Sequence, residues 1–184
     1  MEILKIYEDC LYSIKFDDAD IDEYSRTFQL WKDLDYLVEF FKVNAKYVDN
    51  PFWKDKGLDS ENPNASAERV AKESLVLASY IKDLASNAID GKFPDFENYF
   101  KPLGGKYSYV TELEPNKSYG TFDPSLLRLY AIKLDKNVYL IVCGGIKLGK
   151  TIQSFPDLKD KVFTKIDNVL AFLKANGITE SEDI

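Results

Sequence analysis

Gly144, Gly149, Lys150 and Thr151 stand at the spacing G-x-x-x-x-G-K-T, directly after the apolar run 138–143. In that pattern the N–H groups of a glycine-rich turn and a lysine cradle the phosphates of a nucleotide. The chemistry requires a helix to open at the lysine, so that its free N–H groups complete the cradle. Pro156 lies six residues past Lys150, where its ring and missing N–H would break such a helix in its second turn. A nucleotide-binding sheet also needs parallel neighbouring strands and an acidic strand end for magnesium. Only 33 residues follow Thr151, and they read as one helix and a tail. The surroundings favour a turn that closes an up-and-down sheet over a mononucleotide cradle.

The chain has no histidine, which removes Ser/His and Cys/His nucleophile systems, histidine-ligated zinc and imidazole-based ribonuclease chemistry. Any catalysis falls to Lys, Arg, Tyr or carboxylates. Cys10 and Cys143 sit in apolar, strand-like surroundings and read as buried reduced thiols; neither has metal-ligand spacing around it. A net charge of −7 argues against a general nucleic-acid coat protein. The charge is uneven, however: residues 101–150 carry +4 and the remainder −11. No apolar run is long enough to span a membrane, and the acidic first twenty residues are unlike a signal or transit peptide. A cytoplasmic protein is expected, with no membrane partner.

At 184 residues the chain is long enough for one well-packed domain and short for two. Tyr12, Ile14 and Phe16 alternate with polar residues as in a half-buried strand, paired with residues 3–7. Asp20 and Glu23 resemble a capping box before a helix whose apolar stripe is Tyr24, Phe28, Trp31, Leu34, Val38 and Phe41. Residues 49–66 read as a loop anchored by Phe52 and Trp53; Trp53 could stack on a base, but its simpler role is packing. A second helix is predicted over 65–88, stopped by Gly91. Strands are predicted over 107–113, 126–134 and 138–143, the last two joined by Asp135-Lys136-Asn137 as a hairpin. Beyond Pro156 comes an amphipathic helix closed by Gly177. The expected fold is α+β: a small twisted antiparallel sheet with helices packed on one face and a C-terminal helix.

Residues 96–178 contain Asn98-Tyr99-Phe100-Lys101-Pro102-Leu103, then Phe122-Asp123-Pro124-Ser125-Leu126-Leu127-Arg128-Leu129-Tyr130. Gly144-Gly145-Ile146-Lys147, Lys150-Thr151 and a last helix ending Leu173-Lys174-Ala175-Asn176-Gly177-Ile178 follow. In content and order this stretch resembles the RelE/ParE toxin superfamily, particularly its phage-derived and HigB-like branch. The resemblance implies a single domain over 1–184, with residues 46–95 as an enlarged helical portion. It also implies an open sheet face that receives messenger RNA on the ribosome and cleaves it without metal or other cofactor. In such toxins the RNA 2′-hydroxyl attacks the adjacent phosphate, and cations stabilise the charge that builds up there. Arg128 matches the family's central-strand arginine, suited to gripping two phosphate oxygens at once; Lys147 and Lys150 match its basic residues past the next strand. Tyr130 shares a strand face with Arg128 and could stack on a base or belong to the core. Lys133, on the opposite face, and Lys136, in the turn, are further candidate RNA contacts. The implied partners are a cognate antitoxin, messenger RNA and the ribosome, with no DNA contact. The chain departs from these toxins in its length, its acidity and a tail, 178–184, without tyrosine or histidine. Two other readings stand beside this one: a non-catalytic binding or regulatory protein on the same scaffold, and a nucleotide-binding protein using residues 144–151.

Overall fold

The computed structural model describes residues 1–49, 51–108, 112–149 and 155–184. A hairpin, β1 (Glu2–Tyr7) and β2 (Leu11–Lys15), leads into α1 (Glu23–Leu30), α2 (Leu34–Val43), the one-turn helices α3 (Ala45–Val48) and α4 (Pro51–Lys54), and the long α5 (Pro63–Asp90). After α6 (Phe96–Tyr99) come the short strands β3 (Lys101–Pro102) and β4 (Pro115–Lys117). The chain then forms the central hairpin β5 (Leu127–Asp135) and β6 (Val138–Ile146), and ends in α7 (Pro156–Ala175) and a 3-10 turn. The strands form one sheet in the order β1-β2-β6-β5-β4-β3. This is the α+β architecture expected, with one parallel pair, β2 on β6, inside an otherwise antiparallel ladder.

Both faces of the sheet are covered. Leu11, Leu129, Ala131, Tyr139 and Ile141 pack with α1, α2, α5 and α6 residues such as Phe28, Leu37, Phe41, Leu77 and Phe96. Ile14, Tyr130, Ile132, Leu140 and Val142 pack on the other side against Val162, Ile166, Val169 and Leu173 of α7. Strand alternation divides the two sets, and a bulge resets it: Tyr130 faces Cys143 while Ala131 faces Ile141, so Val142 is the extra residue. Past the bulge Gly144 turns toward α1 and Gly145 toward α7. A Cβ at Gly144 would stand 2.2 Å from Thr27 Cγ2 and 3.0 Å from the Trp31 ring; one at Gly145 would stand 2.3 Å from Leu158 Cδ1. These glycines allow helices to approach the strand on both sides.

The helix predicted from Asp20 to Phe41 is two helices. Asp22, not Asp20, caps α1 by accepting from Ser25 N at 3.0 Å, and Asp33 starts α2 by accepting from Tyr36 N at 3.0 Å. The break re-phases the stripe and leaves Leu34 48% exposed. α5 begins with proline at its first turn and ends, as expected, on left-handed Gly91 (φ 66°). The strand predicted over 107–113 is a 3-10 turn at Gly105–Tyr107, and 109–111 lie outside the described residues. Pro156 does not interrupt a helix: it is the first residue of one, where its missing N–H has no partner to lose. Cys10 and Cys143 are free and buried, and burial pushes the Cys143 thiol up to about 12. No helix among the described residues is long and apolar enough to cross a membrane.

Candidate functional site

Antiparallel pairing of β5 with β6 brings the start of one strand beside the end of the other. Arg128 lies opposite Gly145, and Lys147 N donates to Leu126 O at 2.8 Å just past the ladder. Lys117 of β4 lies across from Tyr130, two residues along β5 from Arg128. Three cations are thereby gathered at one end of the sheet. Burial, followed by repulsion from Arg128 and Lys117, holds the Lys147 ammonium below the usual lysine range.

Arg128 and Lys147 line a cleft of about 560 Å³. Pro124 and Ser125 line it before β5, and Leu148 and Gly149 line it after β6. α3 contributes Lys46 and Tyr47, and α4 contributes Phe52 and Trp53. Among the described residues, no Asp or Glu lines it. Lys46 Nζ lies 4.9 Å from the Tyr47 ring centre, and Tyr47 in turn meets Phe155 edge-on at 4.8 Å. Trp53 is 4% exposed and its indole N–H donates to Leu148 O, so it packs and ties α4 to the segment after β6. Phe52 meets Trp53 edge-on at 4.8 Å and remains 54% exposed.

The Arg128 guanidinium is held rather than free to swing. Its Nη1 donates to Leu127 O at 2.6 Å and Ser125 O at 3.2 Å, and its centre sits 4.2 Å above the Tyr119 ring. Behind it, fully buried Glu73 of α5 accepts from Ser125 Oγ and from Leu126 N at 3.3 Å, which fixes the entry to β5. Burial raises the Glu73 carboxyl above its ordinary value, opposed by those hydrogen bonds and by Arg69 and Arg128. Among the described residues Arg128 has no carboxylate within 4.0 Å.

The other candidates lie elsewhere. Tyr130 is 1% exposed inside the α7 core, where burial pushes its phenol up. It cannot stack on a base in this arrangement, because the face expected to be open is covered by α7. Lys133 pairs with Glu97 at 2.8 Å, and Lys136 is exposed in the turn. Both belong to the far end of the hairpin: Lys133 is five residues along β5 from Arg128, roughly 16 Å away, and Lys136 lies beyond it in the turn. Lys150 and Thr151 lie outside the described residues. Among the described residues, the helix that follows β6 opens at Pro156, and the strands flanking β6 are one parallel (β2) and one antiparallel (β5). Gly144, first in the phosphate-loop pattern, is engaged by Thr27 and Trp31 instead.

Sequence reasoning did not find Lys46, Tyr47, Phe52 or Ser125 as cleft residues. Their signal was faint: two aromatic-cation neighbours, Lys46-Tyr47 and Trp53-Lys54, flanking a proline in an irregular stretch. Among the described residues, no group of three or more Cys, Asp or Glu is placed to hold a metal ion. No protein-family model, curated protein or solved structure matches the chain.

Proposed function

We propose that this protein is a RelE/ParE-like toxin component, a cytoplasmic endonuclease of ribosome-associated messenger RNA, which works at the end cleft rather than on the sheet face. The observation that supports the reading is the convergence of Arg128 and Lys147 on one aromatic-walled cleft that, among the described residues, no carboxylate lines. Phosphate negative charge would meet two cations there in partly dehydrated surroundings, where such stabilisation is strongest. Arg128, already oriented by two carbonyls and the Tyr119 ring, would meet the charge on the pentavalent phosphorus without reorganising. Lys147, with its proton held less tightly than an ordinary lysine's, suits proton transfer to the leaving oxygen. A cognate antitoxin would silence the protein by covering this cleft.

Inducible expression with survival counts and RNA end mapping tests the reading. Growth arrest with new RNA ends, both lost in Arg128→Ala, is the expected result; the absence of arrest from the parent chain overturns it. A second reading, a non-catalytic binding protein on the same scaffold, is favoured by the low exposure of Arg128, 8%. Under it, RNA is bound in the cleft and its ends do not change.

A further inference from the structure

The α3–α4 segment lies outside the elements that carry the cations, yet it supplies the aromatic wall facing them. We propose that the cleft is a single-nucleotide subsite: it takes one unstacked nucleotide, with the base on the Phe52 ring and the phosphate against Arg128 and Lys147. The inference deepens the RNA reading and rests on it for the polymer, while nucleotide capture is measurable by itself.

Three features carry it. The first is charge: among the described residues, Lys46, Arg128 and Lys147 line the cleft and no acid does, so its occupant is an anion. The second is shape. A volume of about 560 Å³ lies within the range of small-ligand pockets and cannot admit a duplex. The third is Phe52 itself. It is a large apolar ring that remains 54% exposed at the cleft wall, while neighbouring Trp53 is 4% exposed. An aromatic ring left uncovered beside phosphate-binding cations is the arrangement by which proteins stack a base from a single strand. The edge-on contact with Trp53 orients that ring at low entropic cost.

Calorimetric titration of the intact protein with AMP, ribose 5-phosphate, a uridine hexanucleotide and the same length of duplex RNA tests the proposal. AMP and the hexanucleotide bind, and ribose 5-phosphate binds more weakly. Phe52→Ala weakens AMP roughly five- to hundredfold and leaves ribose 5-phosphate unchanged; Phe52→Trp preserves AMP binding. Equal affinity for AMP and ribose 5-phosphate, an unchanged AMP affinity in Phe52→Ala, or duplex binding as tight as the single strand each overturns it. So does failure of both AMP and the hexanucleotide to bind. Because Phe52 is exposed, its replacement is not a folding test. The two readings fail separately. Growth arrest that survives Phe52→Ala but not Arg128→Ala sinks the base subsite alone. Phe52-dependent AMP binding by a chain that never arrests growth keeps the subsite and sinks the nuclease.

Discussion

The two ends of the β5–β6 hairpin carry similar charges and use them in opposite ways. At the turn end, Glu97 gathers the Lys133 ammonium at 2.8 Å, the Asn137 N–H at 3.1 Å and the Tyr139 hydroxyl at 3.2 Å, and Asn137 reaches back to Asp95 at 3.0 Å. Every cation in that network has its acid, and the result is a latch that ties α6 to the hairpin. At the open end, Lys147 is repelled by Arg128 and Lys117, no carboxylate lines the cleft among the described residues, and the buried acid Glu73 is turned to Ser125 and Leu126. A folded chain tolerates like charges at close range only where something else holds them or something negative completes them. Strand alternation puts Lys133 on the opposite face from Arg128, and partner chemistry separates them further.

The largest effect should come from exchanging a cation at one end and not the other. Arg128→Ala should lower RNA cleavage by about 10²–10³-fold, the loss seen when one preorganised charge donor is removed. Lys133→Ala should leave it within about threefold. Arg128→Lys should not rescue, since a single ammonium cannot reproduce a planar fork. Cleavage rates on one RNA substrate decide this, and equal losses at both ends would erase the distinction.

Next in size is the glycine pair between the two ends. Gly144→Ala should destabilise the fold by about 1–3 kcal/mol, because the new methyl meets the rigid Trp31 ring as well as Thr27; Gly145→Ala should cost less, because Leu158 can change rotamer. Chemical denaturation of both variants measures the gap. If Gly144→Ala folds with unchanged stability and loses only phosphate binding, Gly144 serves a phosphate loop after all. That comparison also shows how far a sequence can be read. The G-x-x-x-x-G-K-T spacing was legible, but its meaning depends on which helix packs against Gly144, and Thr27 is 117 positions away.

The β1–β2 hairpin, α5 with its Gly91 stop, β5, β6 and α7 follow local periodicity and caps, so they were readable. The parallel docking of β2 on β6 and the closure of the second face by α7 are long-range, and they move Tyr130 from candidate base-stacker to core. Arg128 and Lys147 were named through the resemblance, as matches to a central-strand arginine and to basic residues past the next strand. Phe52 was not found, because an anchoring aromatic and an exposed one look alike until burial is known.

At the latch end, Glu97→Ala should cost about 1–3 kcal/mol by stripping three donors of a charged acceptor, with RNA binding unchanged. Although burial works against it, hydrogen bonds from Lys133 and Asn137 hold the Glu97 carboxyl below its ordinary value. A lowered folded-state value gives stability that is present above the unfolded value, 4.5, and lost as pH falls through the lower one. The gap between wild type and Glu97→Ala should therefore narrow on acidification. A gap independent of pH would mean that the latch is not ionic.

Glu73 should show the reverse, in the smallest and most discriminating of these effects. It is fully buried and its carboxyl is raised above 4.5, with burial the chief cause. A raised folded-state value means that its contribution is full below the unfolded value and declines as pH rises through the folded one. Glu73→Gln keeps an acceptor for Ser125 Oγ or Leu126 N and removes the titration. Relative to this variant, wild type should lose stability between about pH 4.5 and the raised value and then hold a constant difference. Denaturation of both proteins across that window reads it directly, because titrations they share cancel. The two acids thus make opposite slopes: Glu97, surrounded by donors, stabilises as it ionises, whereas Glu73, set deep behind the cations, does not. A flat Glu73→Gln difference would mean that hydrogen bonds and the nearby arginines cancel the effect of burial on Glu73, and a slope like that of Glu97 would mean that they outweigh it.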